Sequence, residues 1–389
     1  MASVRQGEMA VGELVSGTAP FAKKHGHDAA MRLMREVFAS VDEVGRVAEV
    51  ESIDCGFQKA GAVYLARNEP QAKRQAELVE HEHSLGFTSD EIRSLSATEA
   101  TEMVGATDVL RGIHFAPCAA LNPAVLVRSL AQIVEARGVK IFEQTAVSDF
   151  SVGRVDTAHG VVTADAIIQA TEGYSRDLPG QRRSMVPLYS LMIATEPLPE
   201  TVFEEIGLAD RPTFSDGRYA VIYGQRTADN RLAFGGRGVP YLFGSKIDPG
   251  TERHGPTHEL VERTLVELFP VLRDAKITHR WGGVLGAPRD FTPSVRFDRT
   301  TGLGGAGGYV GEGVCPANLA GRTLADLVTE TDSDRSKLPW VGWESRKWEP
   351  EPFRWLGVRG TRGVMFRADQ KEATTGKTSK SGALAAKLL

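Results

Sequence analysis

Apolar residues recur at helical spacing in the first part of the chain. Between residues 27 and 50 they lie three or four positions apart, at Leu33, Val37, Val41 and Val44. This interval places them on one face of a helix, because an α-helix completes a turn in about 3.6 residues. We therefore predict a long amphipathic helix over residues 27–50.

End signals mark a second helix further along the chain. Asn122 can cap its N-terminus, Pro123 suits its first turn, and Gly138 ends it. The apolar run at residues 165–171 then indicates a strand that is buried on both faces. A helix between strands in this region predicts an α/β arrangement.

The middle of the chain has a different pattern. Short runs typical of strands occupy residues 189–197, 218–225 and 231–236, and a later helical pattern ends before Pro270. Together they predict an antiparallel sheet that is crossed by a helix. Residues 367–389 have no sustained apolar pattern and predict a mobile tail.

Composition limits the classes of protein that fit. At 389 residues the chain exceeds the usual size of a single core, so two domains are expected. A hydrophobic fraction of 41% and a net charge of −4 give no reason to expect nucleic-acid or anionic-membrane binding. No apolar run is long enough to cross a bilayer, and the three cysteines are far apart, which favours a cytoplasmic location.

Residues 302–328 combine a glycine-rich segment with a helical pattern. Gly302, Gly304 and Gly307 match the G-x-G-x-x-G spacing of dinucleotide-binding turns. No strand that ends in an acid follows at the required distance, so the segment is not typical of the first βα turn of a nucleotide-binding domain. It predicts instead a glycine turn that leads into a helix N-terminus, which attracts anionic or electron-rich groups.

Five segments in this order resemble one enzyme family. They are residues 122–147, 165–175, 219–245, 281–295 and 302–314. Together they resemble the FAD-dependent amine and amino-acid oxidoreductases, which include the glycine, sarcosine and D-amino-acid oxidases. Within that group the chain is most similar to the branch that contains gamma-glutamylputrescine oxidase.

The resemblance implies an FAD-dependent oxidoreductase that oxidises the C–N bond of a small amine or amino acid by hydride transfer to the flavin. It implies an α/β fold with an α+β second domain. A discontinuous FAD-binding domain with a parallel sheet would comprise residues 1–52, 115–180 and 290–366. A substrate domain with an antiparallel sheet would comprise residues 53–114 and 181–289, and the mobile tail residues 367–389.

The resemblance also implies where the cofactor lies. The main chain of the glycine turn would lie beneath the flavin, where N–H groups stabilise negative charge on the reduced ring. Glycine would allow the ring to pack against bare backbone. The residues implied to contact FAD are Ser3, Arg5, Val147, Ala170, Thr171, Gly173, Gly307, Gly308, Gly311 and Gly313.

One part of the family pattern is missing from the sequence. The family begins with a strand, a G-x-G-x-x-G turn, a helix and a second strand that ends in an acid, and this unit binds the pyrophosphate. Here Ala2, Ser3, Arg5 and Gly7 already resemble a later, flavin-facing segment. Three interpretations are open: a true start upstream of Met1, a catalytically silent truncated paralogue that binds a partner, or a subunit that needs a second chain to bind FAD.

Four residues are candidates for substrate binding. Arg237 could pair with a substrate carboxylate, or it could anchor a loop. Tyr223 and Tyr241 could line a substrate pocket or pack in the core. Arg289 could bind substrate or form an ion pair with Asp290 or another nearby acid.

Histidines bear on metal binding, and tryptophans bear on binding of a protein partner. His81 and His83 lie two residues apart on a predicted helix and do not converge, so no metal site is predicted. Four of the five tryptophans fall near the C-terminal end, at Trp340, Trp343, Trp348 and Trp355. They predict either packing of this segment over the FAD-binding domain or a surface for a protein partner.

Overall fold

The structure, a computed structural model, describes residues 9–236, 238 and 240–388. The helices of this part of the chain are α1 (Ala19–His25), α2 (His27–Val50), α3 (Glu69–Ser84), α4 (Ala97–Met103), α5 (Pro123–Ala136), α6 (Glu200–Ile206), α7 (Gly255–Leu268), α8 (Val314–Val328), α9 (Phe353–Thr375) and α10 (Lys380–Leu388). None of these helices is long and apolar enough to cross a membrane.

The strands form four sheets. They are β1 (Met9–Val11), β2 (Ala62–Ala66), β3 (Ile92–Leu95), β4 (Arg111–Phe115), β5 (Cys118–Ala120), β6 (Val147–Ser151), β7 (Arg154–Thr157), β8 (Gly160–Thr163), β9 (Ile167–Gln169), β10 (Val186–Thr195), β11 (Thr213–Asp216), β12 (Ile222–Arg226), β13 (Leu232–Gly236), β14 (Ile277–Ala287), β15 (Ser294–Asp298) and β16 (Leu303–Gly307).

The largest sheet contains eight strands in the order β14-β10-β13-β12-β11-β2-β4-β3. Neighbouring strands are antiparallel except β11 and β2, which run parallel. β12 and β13 form a hairpin whose turn is closed by a hydrogen bond from the Thr227 N–H to the Arg231 carbonyl, 2.9 Å long. The antiparallel sheet predicted for the middle of the chain is therefore present.

Helix α7 covers one face of this sheet. Its apolar residues Val261, Leu265 and Leu268 are buried in one cluster with Ile193 of β10 and Phe234 of β13. The helix ends at Leu268, shortly before Pro270, as the sequence pattern predicted. Packing against the apolar stripe of α7 thus provides a core for this part of the molecule.

A smaller sheet joins segments that are far apart in sequence. Its order is β15-β16-β9, with β9 parallel to β16 and Ile167 opposite Leu303. Helix α8 follows β16 and packs with α2, so that Leu33, Val37 and Leu319 share one buried cluster. The predicted α/β class with a parallel pair and a separate antiparallel sheet is confirmed. The two domains and their boundaries stay a prediction.

The other two sheets are small. β1 pairs antiparallel with β5, which places the first described residues beside residues 118–120. β6, β7 and β8 form an antiparallel meander whose side chains are largely exposed.

The C-terminal residues form the helices α9 and α10, which the sequence pattern did not predict. The Asp369 carboxylate of α9 accepts hydrogen bonds from the N–H groups of Tyr219 and Ala220, at 2.7 and 2.9 Å. Glu372 is 1% exposed and accepts a hydrogen bond from Arg74 of α3 at 2.9 Å. Polar contacts to distant residues therefore position this segment, and an apolar pattern does not report such contacts. Mobility of residues 367–389 stays a prediction.

Candidate active site

Three cavities of the structure adjoin one another through shared wall residues. The first, here called the helix groove, runs along α8 and has a volume of about 370 Å³. The second, the central cavity, is bounded by β1, β2 and β12 and measures about 330 Å³. The third, the outer cavity, is bounded partly by α9 and measures about 540 Å³. The groove shares Leu285 and Gly311 with the central cavity, which in turn shares Val15 and Val221 with the outer cavity.

Small residues form most of the wall of the helix groove. Ala170 and Thr171 contribute from the end of β9, and Gly311 and Gly313 contribute from the glycine turn. Ala317, Ala320 and Gly321 contribute from α8. A Cβ atom at Gly321 would have no heavy atom within 4 Å, so this position faces open space. The groove can therefore accept a flat group directly against the helix backbone.

The N-terminus of α8 opens near the same groove. Gly313 is the N-cap residue, and among the described residues no side chain caps the helix there. The first N–H groups of a helix lack partners within the helix and carry a partial positive charge. This end of the groove is therefore suited to an anionic or electron-rich group.

Glu172 binds the glycine turn from below the groove. Its Oε1 accepts hydrogen bonds from the N–H groups of Gly308 and Tyr309, at 2.7 and 3.1 Å, and its Oε2 accepts one from Gly286 at 3.1 Å. Burial raises the pKa of Glu172, while the three N–H groups act in the opposite direction. The sequence reasoning missed this residue, although its acid follows directly after the predicted strand at residues 165–171.

The neighbouring glycines are required by protein packing. A Cβ atom at Gly173 would lie 2.4 Å from Val284 Cγ1, and Gly308 has a φ of +87°. At Gly307 the nearest atoms to a Cβ would be Glu172 Oε1 at 3.3 Å and the side chain of Met185. These three glycines therefore contact other parts of the protein, and their predicted contact with FAD stays a prediction.

Three further residues were predicted to contact FAD, and only one of them, Val147, lies within the described residues. Val147 lies in the meander, is 41% exposed and lines none of the three cavities. Ser3 and Arg5 lie outside the described residues. The structure thus brings Ala170, Thr171, Gly311 and Gly313 together in one groove and leaves the other predicted positions untested.

The central cavity contains a carboxyl group and a phenol in contact. The Tyr64 hydroxyl donates a hydrogen bond to Glu13 Oε2 at 3.0 Å. Burial, together with the nearby charge of Glu312, raises the pKa of Glu13 to about 7, although the hydrogen bond from Tyr64 acts in the opposite direction. Glu13 and Tyr64 are 51 residues apart, and no local signal in the sequence indicated this pair. A group with a pKa near 7 can hold or release a proton at neutral pH.

Two of the four substrate-binding candidates line the cavities. Tyr223 lines the central cavity, and its hydroxyl lies 2.6 Å from Ser190 Oγ. Tyr241 lines the outer cavity, and its hydroxyl donates a hydrogen bond to Glu351 at 2.8 Å. Both positions are compatible with a substrate pocket.

Of the two arginine candidates, only Arg289 lies within the described residues, and it lines none of the three cavities. Arg289 donates to both carboxylate oxygens of Glu349 at 3.1 Å and lies 5.0 Å from the ring centroid of Trp348. The ion-pair interpretation of Arg289 is therefore the one observed, although the partner is Glu349 instead of Asp290. Arg237 lies outside the described residues.

The C-terminal tryptophans mainly pack against the protein. Trp340 is 0% and Trp348 is 5% exposed, and the Trp348 indole donates to the Ala287 carbonyl at 2.8 Å. Trp343 contacts Phe21 with ring centroids 5.0 Å apart. These contacts favour the packing interpretation over a partner surface. Within the described residues no group of three or more acidic, histidine or cysteine side chains could hold a metal ion.

Comparison with known proteins gives a family and a fold. The sequence model of the family described as DAO, FAD dependent oxidoreductase, matches residues 6–327. A probable oxidoreductase OrdL of Haemophilus influenzae is 28% identical over 341 residues, which cover 85% of this chain and 75% of that protein. The gamma-glutamylputrescine oxidoreductase of Escherichia coli is 28% identical over 350 residues, covering 86% and 78% respectively. Glycine oxidase from Geobacillus kaustophilus shares the fold, with a TM-score of 0.67, 20% identity and coverage of 84% of this chain and 86% of that chain.

Proposed function

The chain belongs to the DAO family of FAD-dependent oxidoreductases, and we propose that it oxidises the C–N bond of a small amine or amino acid. The observation that carries this proposal is the row of three cavities. A groove with glycine and alanine walls adjoins a cavity that contains a carboxyl group with a pKa of about 7. Such a row provides neighbouring places for a flat cofactor and a small substrate.

The helix groove fits the flavin end of FAD. Ala170 and Thr171 after β9, together with Gly311, Gly313 and Gly321, give the groove stretches of wall with small or no side chains, and Tyr174 and Tyr309 add aromatic wall. The uncapped N-terminus of α8 would stabilise negative charge on the bound group. When bound, FAD supplies the chemistry by accepting a hydride from the carbon that bears the nitrogen.

In the central cavity Glu13, with Tyr64 beside it, would deprotonate the ammonium group of the substrate. An amine is mainly an ammonium ion at neutral pH and must lose a proton before its C–N bond can be oxidised. The Glu13 carboxylate can accept that proton, because its pKa of about 7 lets both protonation states exist near neutral pH. Tyr64 would orient the carboxyl group through its hydrogen bond to Oε2.

The relatives support an amine or amino-acid substrate. One is named for gamma-glutamylputrescine, and a protein of the same fold is named for glycine. Tyr223 lines the central cavity and would contact such a substrate.

The first test is the absorbance spectrum of the purified protein. The spectrum is recorded again under anaerobic conditions after amines are added. We expect flavin absorbance that bleaches when a suitable amine or amino acid is added. The variant Gly321→Leu should reduce the bound flavin by roughly tenfold or more, because its side chain enters the groove. Its thermal midpoint should not fall, because leucine favours a helix interior over glycine by about 1 kcal/mol.

The control is Gly360→Leu in α9, another helical glycine with no heavy atom near a Cβ. This variant should retain its flavin. A wild-type protein that is colourless and takes up no added FAD would contradict the proposal and favour a catalytically silent relative. Flavin that binds only together with a second, co-purifying chain would favour the subunit interpretation.

A further inference from the structure

The outer cavity contains a cation that no described carboxylate neutralises. The Arg362 Nη2 donates to the Gly238 carbonyl, while its Nε is buried without a hydrogen-bond partner. Among the described residues no ion pair to Arg362 is present, and the nearest ring is Phe366 on the same helix. Burial and the charge of Arg359 both lower the pKa of Arg362.

Asp290 also lines this cavity, but among the described residues it forms no ion pair with Arg362. Asp290 accepts hydrogen bonds from Trp343 Nε1 at 3.0 Å, from the Ser345 hydroxyl and from the Thr292 N–H. Its two oxygens are therefore bound by other donors. The Ser16 hydroxyl lines the same cavity and is buried without a partner. A guanidinium and a hydroxyl, both with donor capacity to spare, are suited to a carboxylate.

Most of the outer cavity wall is apolar or aromatic. Leu188, Phe291, Met365 and Tyr241 contribute to it. In such surroundings a charge-assisted hydrogen bond is stronger than in water, and an unpaired charge is costly. A ligand carboxylate bound to Arg362 would form such a charge-assisted hydrogen bond and would also pair the charge of Arg362.

The outer and central cavities adjoin through the shared wall residues Val15 and Val221. The central cavity contains Glu13, and the outer cavity contains Arg362. We propose that the outer cavity binds the carboxylate of an elongated substrate whose amine lies in the central cavity, with Arg362 as the residue that recognises it. This inference rests on the proposed amine oxidation. Arg362 lies beyond residue 327, where the family match ends.

The test is calorimetric titration of the purified protein with two series of probes. One series is the linear ω-amino carboxylates from aminobutanoate to aminooctanoate, and the other is the alkylamines of the same lengths. We expect at least one amino carboxylate to bind more tightly than its matched alkylamine. Arg362→Gln should weaken the amino carboxylate by roughly ten- to a hundredfold and leave the alkylamine unchanged.

Two further variants separate charge recognition from a structural role. Arg362→Lys keeps the charge and should recover part of the lost affinity. Arg367→Gln, at an exposed position of the same helix, should alter neither series. Circular dichroism melts of all variants would identify any that fail to fold. If Arg362→Gln fails to fold, the affinities of Arg362→Lys are compared with those of the wild type instead.

The inference is overturned if the two series bind equally to the wild type, or if Arg362→Gln weakens both series by the same factor. Flavin reduction by each probe is measured in parallel. Amines that reduce the flavin regardless of a carboxylate would contradict this inference alone. Arg362-dependent binding without any flavin reduction would contradict the proposed oxidation alone.

Discussion

At the scale of single residues, two carboxyl groups near the cavities have different surroundings and different roles. Glu172 accepts three backbone hydrogen bonds, which favour its charged form and bind the glycine turn in place. Glu13 accepts one hydrogen bond, from Tyr64, and faces the charge of Glu312. Glu172 therefore binds the glycine turn even though burial raises its pKa, whereas Glu13, with a pKa of about 7, can titrate near neutral pH.

The raised pKa of Glu13 predicts a pH dependence of stability. Its pKa rises from 4.5 to about 7 on folding, so between these values the folded protein binds a proton that the unfolded chain has lost. The free energy of unfolding should fall as pH rises through this window, by at most about 3 kcal/mol. Urea unfolding of the wild type and of Glu13→Gln, across this pH range, measures the difference.

The control for this experiment is Glu204→Gln, which changes an exposed carboxyl on α6. That variant should follow the wild type at every pH. If the difference between wild type and Glu13→Gln is constant with pH, the proposed proton-accepting role of Glu13 loses its basis.

At the scale of elements, the C-terminal helices are attached to the rest of the protein by polar contacts. Glu372 accepts hydrogen bonds from Arg74 of α3 and from the Ser379 N–H, which precedes α10. Arg74 also lies 4.4 Å from the ring centroid of Tyr219. One buried carboxylate thus connects α3, α9 and α10.

We therefore predict that Glu372→Gln lowers the free energy of unfolding by about 2 kcal/mol. The substitution leaves Arg74 without its charged partner in a largely buried place. Hydrogen exchange should show faster opening of α9 and α10 than of α3. The matched control is Glu77→Gln, which breaks the exposed pair with Lys73 and should cost no more than about 0.5 kcal/mol. Equal effects of the two variants would contradict a structural role for Glu372.

At the scale of the whole molecule, the helix groove is built from segments that only folding brings together. Ala170 and Thr171 follow β9, whereas Gly311, Gly313 and Gly321 follow β16, more than a hundred residues later in sequence. The unfolded chain contains no such groove. FAD should therefore bind the folded state in preference to the unfolded state.

This preference predicts that FAD stabilises the fold. At a free FAD concentration a hundred times its Kd, the gain in free energy of unfolding should be about 2.7 kcal/mol. Thermal melts with and without added FAD, followed by near-ultraviolet circular dichroism, measure the resulting rise of a few degrees. Gly321→Leu should show no rise. A wild-type midpoint that excess FAD does not move would contradict a folded binding groove.

Local signals in the sequence predicted several of the described helices correctly. The apolar interval at Leu33, Val37 and Val41 predicted α2 with the bounds that the structure shows. Asn122 caps α5 by accepting hydrogen bonds from the Ala124 and Val125 N–H groups, and Pro123 is its first residue. Helical periodicity and caps depend on residues within a few positions of each other, so the sequence alone contains the information.

Tertiary structure alone decided the chemistry of the cavities and the position of the C-terminal segment. Glu13 meets Tyr64, Glu172 meets Gly308, and Asp369 meets Tyr219, each across 51 or more residues. No period or cap relates such positions. Their pairing follows from the requirement that buried polar groups find partners, and only the folded chain determines which partners lie within reach.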